Sequence, residues 1–122
     1  MGFEMIGIDH VQLAAPKGSE DEARKFYGEV LSLKEMEKPE KLKAGGGCWF
    51  HCGSHEIHIG VENEFSPALK AHPGIVVKNI EEVRRTLEEN GYKVQEDTRI
   101  EDRKRIFVND PFGNRVEFLE YY

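Results

Sequence analysis

The sequence has few cysteines, no excess of basic residues and no long hydrophobic run, and each shortage excludes a class of protein. The 2 cysteines, Cys48 and Cys52, are too few for a disulfide framework, so we expect reduced thiols and a cytoplasmic protein. Lys and Arg number 17 against 23 Asp and Glu, so the net charge of −6 disfavours binding to nucleic acid or to an anionic membrane. No apolar run approaches the roughly 18 residues of a membrane helix. The first residues, 1–8, lack the basic stretch of a signal peptide.

What the chain does contain is an order of strands and helices that occurs twice. Alternating apolar residues predict a strand over residues 5–14, and helical spacing of apolar residues predicts a helix over 23–31. Three strands complete this first module, and the same order then returns. We therefore predict an α+β fold in which two paired βαβββ modules form an incomplete barrel-like sheet. The predicted boundaries are one domain over 1–122, with modules at about 5–61 and 72–120 and a connection at 62–71.

Local signals predict where the helices begin and where a loop lies. Ser19 with Glu22, and Asn79 with Glu82, have the spacing of capping boxes. Residues 38–47 are polar and end in the run Gly45 to Gly47, which predicts a flexible loop.

Strand alternation also predicts which residues lie on the face away from the core. This open face carries Gln12, Glu56, Arg115 and Leu119 together with four groups that can bind metal, namely His10, His58, His72 and Glu117. A single strand histidine is more often structural, so the argument depends on four such groups sharing one face at matching positions of the two modules. Three imidazoles and one carboxylate suit one divalent ion such as Zn, Ni, Co, Mn or Fe.

Further open-face residues are candidates for the wall of a substrate pocket. Arg103, Arg105 and Phe107 share one strand face, where either arginine has the geometry to bind a carboxylate or phosphate, or belongs to a solvated charge run. Trp49 either lines the pocket or packs in a dimer interface. The spacing of Cys48 and Cys52 around His51 fits no common structural zinc pattern.

The sequence resembles the vicinal oxygen chelate superfamily, also called the glyoxalase/bleomycin resistance/dioxygenase superfamily. The resemblance covers nearly the whole chain and is carried by the segments IDHVQLAAP, ARKFYGEVLSL, EIHIGV, AHPGIVVKN and DPFGNRVEFLE. It implies that His10, His58, His72 and Glu117 are the metal ligands. His58 stands where glyoxalase I commonly has Glu, which departs from that member of the family.

The resemblance further implies a homodimer that acts on a small molecule through two neighbouring oxygens. The expected activity is a metal-dependent lyase, isomerase or thiol-transfer reaction, in which Glu117 acts as base. Glu56, two residues from His58, is a second candidate base or an ordinary surface carboxylate. The two modules of one site belong either to one chain or to two.

Three other functions stay open at this point. A dimeric protein of the bleomycin-resistance type would sequester a drug or metabolite without catalysis. An Fe(II) ring-cleaving dioxygenase would use a facial set of two His and one Glu. A vestigial metal site on a domain that serves only as a partner is the third.

Overall fold

The computed structural model describes residues 2–122, so Met1 of the predicted domain lies outside the described residues. The chain alternates strands with two helical segments and one short 3₁₀ helix. In order these are β1 (His10–Pro16), α1 (Glu20–Ala23) continued by a π-helix (Arg24–Val30), β2 (Glu35–Met36), the 3₁₀ helix (Glu40–Gly45), β3 (Cys48–Cys52), β4 (His55–Glu62), β5 (Gly74–Val76), α2 (Ile80–Glu89), β6 (Gln95–Asp97), β7 (Arg103–Asn109) and β8 (Arg115–Tyr121). The predicted α+β class with two βαβββ modules is confirmed. No helix in this described range is long and apolar enough to cross a lipid bilayer.

Each module forms its own four-stranded sheet. The first sheet has the strand order β1-β4-β3-β2, and the second has the equivalent order β5-β8-β7-β6. The pairs β1/β4 and β5/β8 are parallel, and the other neighbours are antiparallel. Within residues 2–122, β1 and β5 are edge strands of separate sheets, so the two sheets do not close into a barrel.

One hydrophobic core fills the space between the sheets and the helices. Phe26 and Tyr27 of the π-helix are fully buried, as is Leu87 of α2. The strands contribute alternate residues to the same core, chiefly Leu13, Ala15, Phe50, Ile57, Ile59, Ile106, Val108, Val116 and Phe118. Because side chains alternate along a strand, His58 and Glu117 lie on the sheet faces that point away from the core, as predicted.

Both helices begin where the sequence predicts, directly after Ser19 and Asn79, but neither residue forms the side-chain hydrogen bond of a capping box. The Ser19 hydroxyl donates to the Pro16 carbonyl instead of accepting a helix N–H. Asn79 has a left-handed backbone with φ 60°, and its side chain caps nothing. The Glu120 carboxylate of β8 accepts the Asn79 and Ile80 N–H groups at 3.1 and 2.9 Å and satisfies the α2 terminus from outside the helix.

The predicted loop over 38–47 contains the 3₁₀ helix and ends at a fixed glycine. Gly47 has φ 83°, and a Cβ there would collide with the Ile59 carbonyl oxygen. Its N–H donates to the Glu20 carboxylate at 2.8 Å. This position therefore requires glycine for both its backbone angle and its close approach to β4.

A buried polar network joins the two modules. The Tyr27 hydroxyl donates to the Asp110 carboxylate at 2.7 Å, although the two residues are 83 positions apart. Asp110 also accepts from the Asn114 amide N–H at 2.9 Å, and the Asn114 side chain donates to the Ala14 carbonyl at 2.7 Å. Burial and the nearby Asp110 raise the pKa of Tyr27 well above its ordinary value, so the hydroxyl keeps its proton.

We predict that Tyr27→Phe destabilises the protein by about 1–3 kcal/mol, because the buried Asp110 loses a donor. Urea unfolding followed by circular dichroism measures this change. Tyr121→Phe is the matched control, since Tyr121 is half exposed, and we expect a change within about 0.5 kcal/mol. Equal stability of the two variants would contradict a structural role for the Tyr27–Asp110 bond.

Candidate metal and substrate site

Three flat rings stack on the open face of the first sheet. The indole of Trp49 lies against His58 with ring centroids 3.8 Å apart and planes 3° apart. The His10 imidazole covers the other side of His58 at 4.1 Å. Cross-strand pairing places Trp49 directly opposite His58 on β3, whereas His10 reaches His58 diagonally from two residues before its β1 partner Gln12. His58 is only 3% exposed, so its ring is held in one orientation.

Each of these two histidines has a carboxylate within hydrogen-bond distance of one ring nitrogen. His58 Nε2 lies 2.8 Å from the Glu56 carboxylate, and His10 Nδ1 lies 2.9 Å from Asp9. A carboxylate bound to one ring nitrogen fixes the proton there and leaves the other nitrogen as a possible metal ligand. Gln12 lies beside them over Gly60, where a Cβ would collide with the Gln12 amide.

On the second sheet, His72 and Glu117 form a direct pair. His72 Nε2 is 2.9 Å from the Glu117 carboxylate, and His72 Nδ1 is 2.9 Å from the Lys70 carbonyl oxygen. Both ring nitrogens therefore face hydrogen-bond acceptors. An imidazole nitrogen and a carboxylate are both ligands that divalent first-row ions accept. This arrangement fits the chemistry of a cation site.

Arg105 holds the same carboxylate from β7. Its Nε donates to Glu117 at 2.8 Å, and its guanidinium also lies 3.6 Å from Asp97. Burial by itself raises the pKa of Glu117, but the hydrogen bonds from Arg105 and His72 outweigh it and keep that pKa below its ordinary value. Glu117 is thus ionised at neutral pH and has the charge that a metal ligand or a proton acceptor needs.

The four predicted ligands form two pairs, His10 with His58 on the first sheet and His72 with Glu117 on the second. Over the described range 2–122, no three His, Cys, Asp or Glu side chains are grouped closely enough to hold a metal ion. A cavity of about 620 Å³ between β1 and β5 is lined by His10 and Glu56 from one pair's sheet and by His72 from the other. One chain therefore brings one member of each pair, His10 and His72, to a common cavity without joining the pairs.

The remaining predicted pocket residues lie on the second sheet, where Arg105 contacts Phe107 and Arg103 lies apart from them. Phe107 is buried, with His72 edge-on at 5.3 Å and the Arg105 guanidinium at 5.1 Å. Arg103 binds the neighbouring Asp102 at 2.8 Å and covers Tyr121. Both predicted anion-binding arginines thus already hold carboxylates of the chain.

One residue of this face was given no role by the sequence analysis. Arg115 opens β8 two residues before Glu117, and its guanidinium lies 4.0 Å above the Phe107 ring. The shared strand face with Glu117 was the available signal. Its lack of a carboxylate partner was invisible without the structure.

The two cysteines have the environment of structural thiols. Burial raises the pKa of Cys48 to about 11 and raises that of Cys52 as well. Neither thiol is therefore activated as a nucleophile.

This architecture, two βαβββ modules with imidazole and carboxylate groups on the open sheet faces, defines a class of small α+β proteins. The family model of the glyoxalase/bleomycin resistance protein/dioxygenase superfamily matches residues 7–118. The chain belongs to this superfamily, as the sequence resemblance indicated. A search among curated proteins found no match.

Solved structures show the same fold. A protein assigned to the glyoxalase family from Bacillus anthracis is 52% identical, covers 100% of both chains and superposes with a TM-score of 0.97. A glyoxalase family protein from Enterococcus faecalis is 25% identical, with a TM-score of 0.73 over 93% of this chain and 97% of that one. A lactoylglutathione lyase from Agrobacterium tumefaciens is 18% identical, with a TM-score of 0.77 over 96% and 95%. At that identity, the last likeness shows the fold alone.

We predict that His58→Ala changes the emission of Trp49, because the variant removes the ring that covers one indole face. The chain has 1 tryptophan, so the whole signal comes from this site. A steady-state spectrum measures the expected red shift. His55→Ala is the control, since His55 is exposed and contacts Ser54 instead. Identical spectra for wild type and His58→Ala would contradict the stacked arrangement.

Proposed function

We propose that this protein is a metal-dependent enzyme of the vicinal oxygen chelate type that binds a small substrate through two neighbouring oxygens. The observation that carries the proposal is the His72–Glu117 pair, in which an imidazole nitrogen and an ionised carboxylate point at each other. The stacked pair of His10 and His58 supplies two further imidazoles with the ligand chemistry of first-row ions. A bound divalent ion would stabilise negative charge on the substrate oxygens.

We propose that one such ion is held by His10 and His58 from one copy and by His72 and Glu117 from another. Separation of the two pairs within one chain supports this arrangement. Edge strands β1 and β5 border the shared cavity, and neither has a partner strand there within residues 2–122. The segment before β1 exposes four large apolar side chains, which a homodimer would cover, namely Phe3, Met5, Ile6 and Ile8.

The chain's own residues have distinct roles in this proposal. Glu56 orients the His58 imidazole through its 2.8 Å contact, so it acts as a positioning residue. Glu117 is ionised and partly shielded from solvent, which suits it to accept a proton from carbon beside a carbonyl group. Arg105 holds that carboxylate in place. Lyase and isomerase reactions that pass through an enediolate share this proton abstraction, whereas in thiol transfer the base would take the proton of the thiol.

Metal content tests the shared site directly. We expect about one divalent ion per chain in untagged wild-type protein, measured by elemental mass spectrometry, and little in His58→Ala or His72→Ala alone. When these two variants are refolded together, about half of the dimers are mixed and each restores one of two sites, so about a quarter of the metal returns.

The alternatives give different results in the same experiment. A site formed within one chain leaves the mixture as poor in metal as each variant alone. Wild-type protein without metal, even after incubation with Zn, Ni, Co, Mn and Fe(II), would sink the metalloenzyme proposal and favour a non-catalytic binding protein. The double variant His58→Ala, His72→Ala carries no intact pair and is the matched control for the mixture.

The catalytic step has its own prediction. In D₂O we expect metal-loaded protein to exchange the α-proton of at least one 2-hydroxycarbonyl compound or hemithioacetal in a panel followed by proton NMR. Glu117→Gln should slow the exchange by about 10²–10⁴-fold, since it removes the base. Glu62→Gln, an exposed carboxylate at the end of β4, should leave the rate unchanged. Equal rates in both variants would rule out Glu117 as the base.

A further inference from the structure

A second cavity on the open face of the second sheet has a cationic wall. Its volume is about 380 Å³, and it is lined chiefly by Lys93, Gln95, Phe107, Asn109 and Arg115. None of its lining residues is acidic, although the chain as a whole carries a net charge of −6. The wall thus presents two cations where the rest of the chain is mainly acidic.

Arg115 differs from the other arginines of the chain. Each of the other six has an Asp or Glu oxygen within 4.0 Å, whereas Arg115 has no such partner among residues 2–122. Its guanidinium carbon lies 4.0 Å above the centre of the Phe107 ring, so the ring stabilises the cation while the N–H donors of Arg115 stay available. Lys93, on the other side of the cavity, also lacks a carboxylate partner in this part of the chain.

The position of this cavity connects it to the proposed reaction site. Arg115 and Glu117 share one face of β8, and two residues along a strand are about 6–7 Å apart. Phe107 lies beside both on β7, because it pairs with Glu117 in the β7/β8 register and its ring contacts the Arg115 guanidinium. One small molecule could therefore place its anionic group at Arg115 and its two neighbouring oxygens near Glu117.

We propose that Arg115 and Lys93 form an anion subsite that binds the carboxylate or phosphoryl group of the substrate. The identification of this ligand as substrate rests on the proposed function, but the subsite itself does not. The substrate class is then a small molecule that has a carboxylate or phosphoryl group and, about 6–7 Å from this group, two neighbouring oxygens. Arg103 and Arg105 are excluded from this role, since Asp102, Asp97 and Glu117 already neutralise them.

Inorganic phosphate and acetate are the two probes, and they distinguish phosphoryl from carboxylate recognition. Each is titrated into the full ¹⁵N-labelled protein at constant ionic strength, as purified and again after chelation of metal. We expect saturable shifts of the Arg115 Nε–H signal and of the Asn109 and Lys93 amides. Arg115→Gln should weaken binding of the preferred anion by about tenfold or more. Lys93→Gln should weaken it by less, because an ammonium group is a point charge.

Arg103→Gln is the matched control. It removes the same charge from the same face of the sheet, and it should leave the affinity unchanged. Equal weakening by Arg103→Gln and Arg115→Gln would show attraction by net charge alone and would overturn the subsite. Absence of saturable shifts in folded wild-type protein would overturn it too. If Arg115→Gln loses its native amide spectrum, the anion affinities of Lys93→Gln and wild type are compared instead. Equal affinities would then overturn the subsite.

The outcomes also separate this proposal from the proposed function. Saturable binding to chelated protein that never binds metal would support the subsite and contradict the metalloenzyme. One metal ion per chain without an anion-dependent shift at Arg115 would support the metalloenzyme and contradict the subsite.

Discussion

The fold depends on the buried carboxylate of Asp110, because it is where the two modules are joined by hydrogen bonds. A buried ionised group is costly unless donors surround it, and here Tyr27 comes from the first module while Asn114 comes from the second. Asn114 extends the same network to the backbone of β1 and to the connection, through Ala14 and Ala68. This network and the shared hydrophobic core together connect the two modules that border the cavity between β1 and β5.

The sequence was sufficient for the fold class and for the strand faces. Period-two alternation in residues such as Ile57 and Ile59 left His58 on the open face, and the same rule placed Glu117. Local capping rules found both helix starts but not the group that caps α2, because they consider only neighbours in the chain. The start of α2 is capped by Glu120, which lies about 40 positions away, and no pattern near Asn79 indicates that contact.

The candidate site was predicted as a set of residues, while its arrangement was not. Parity shows that a side chain faces one way but does not show which side chains meet across two separate sheets. The pairing of Arg105 with Glu117 follows from the β7/β8 register, which depends on turn geometry and tertiary packing. The isolation of Arg115 is a property of the whole surface, since it depends on where every carboxylate of the chain lies.

Phe107 has a consequence for the size of the molecules that this face can select. Its ring contacts His72 edge-on and lies against the guanidiniums of Arg105 and Arg115, so one aromatic ring packs against three polar side chains. The ring also lines the cavity beside Arg115. Exchanging this single side chain for a smaller one would therefore enlarge that cavity without altering any charge.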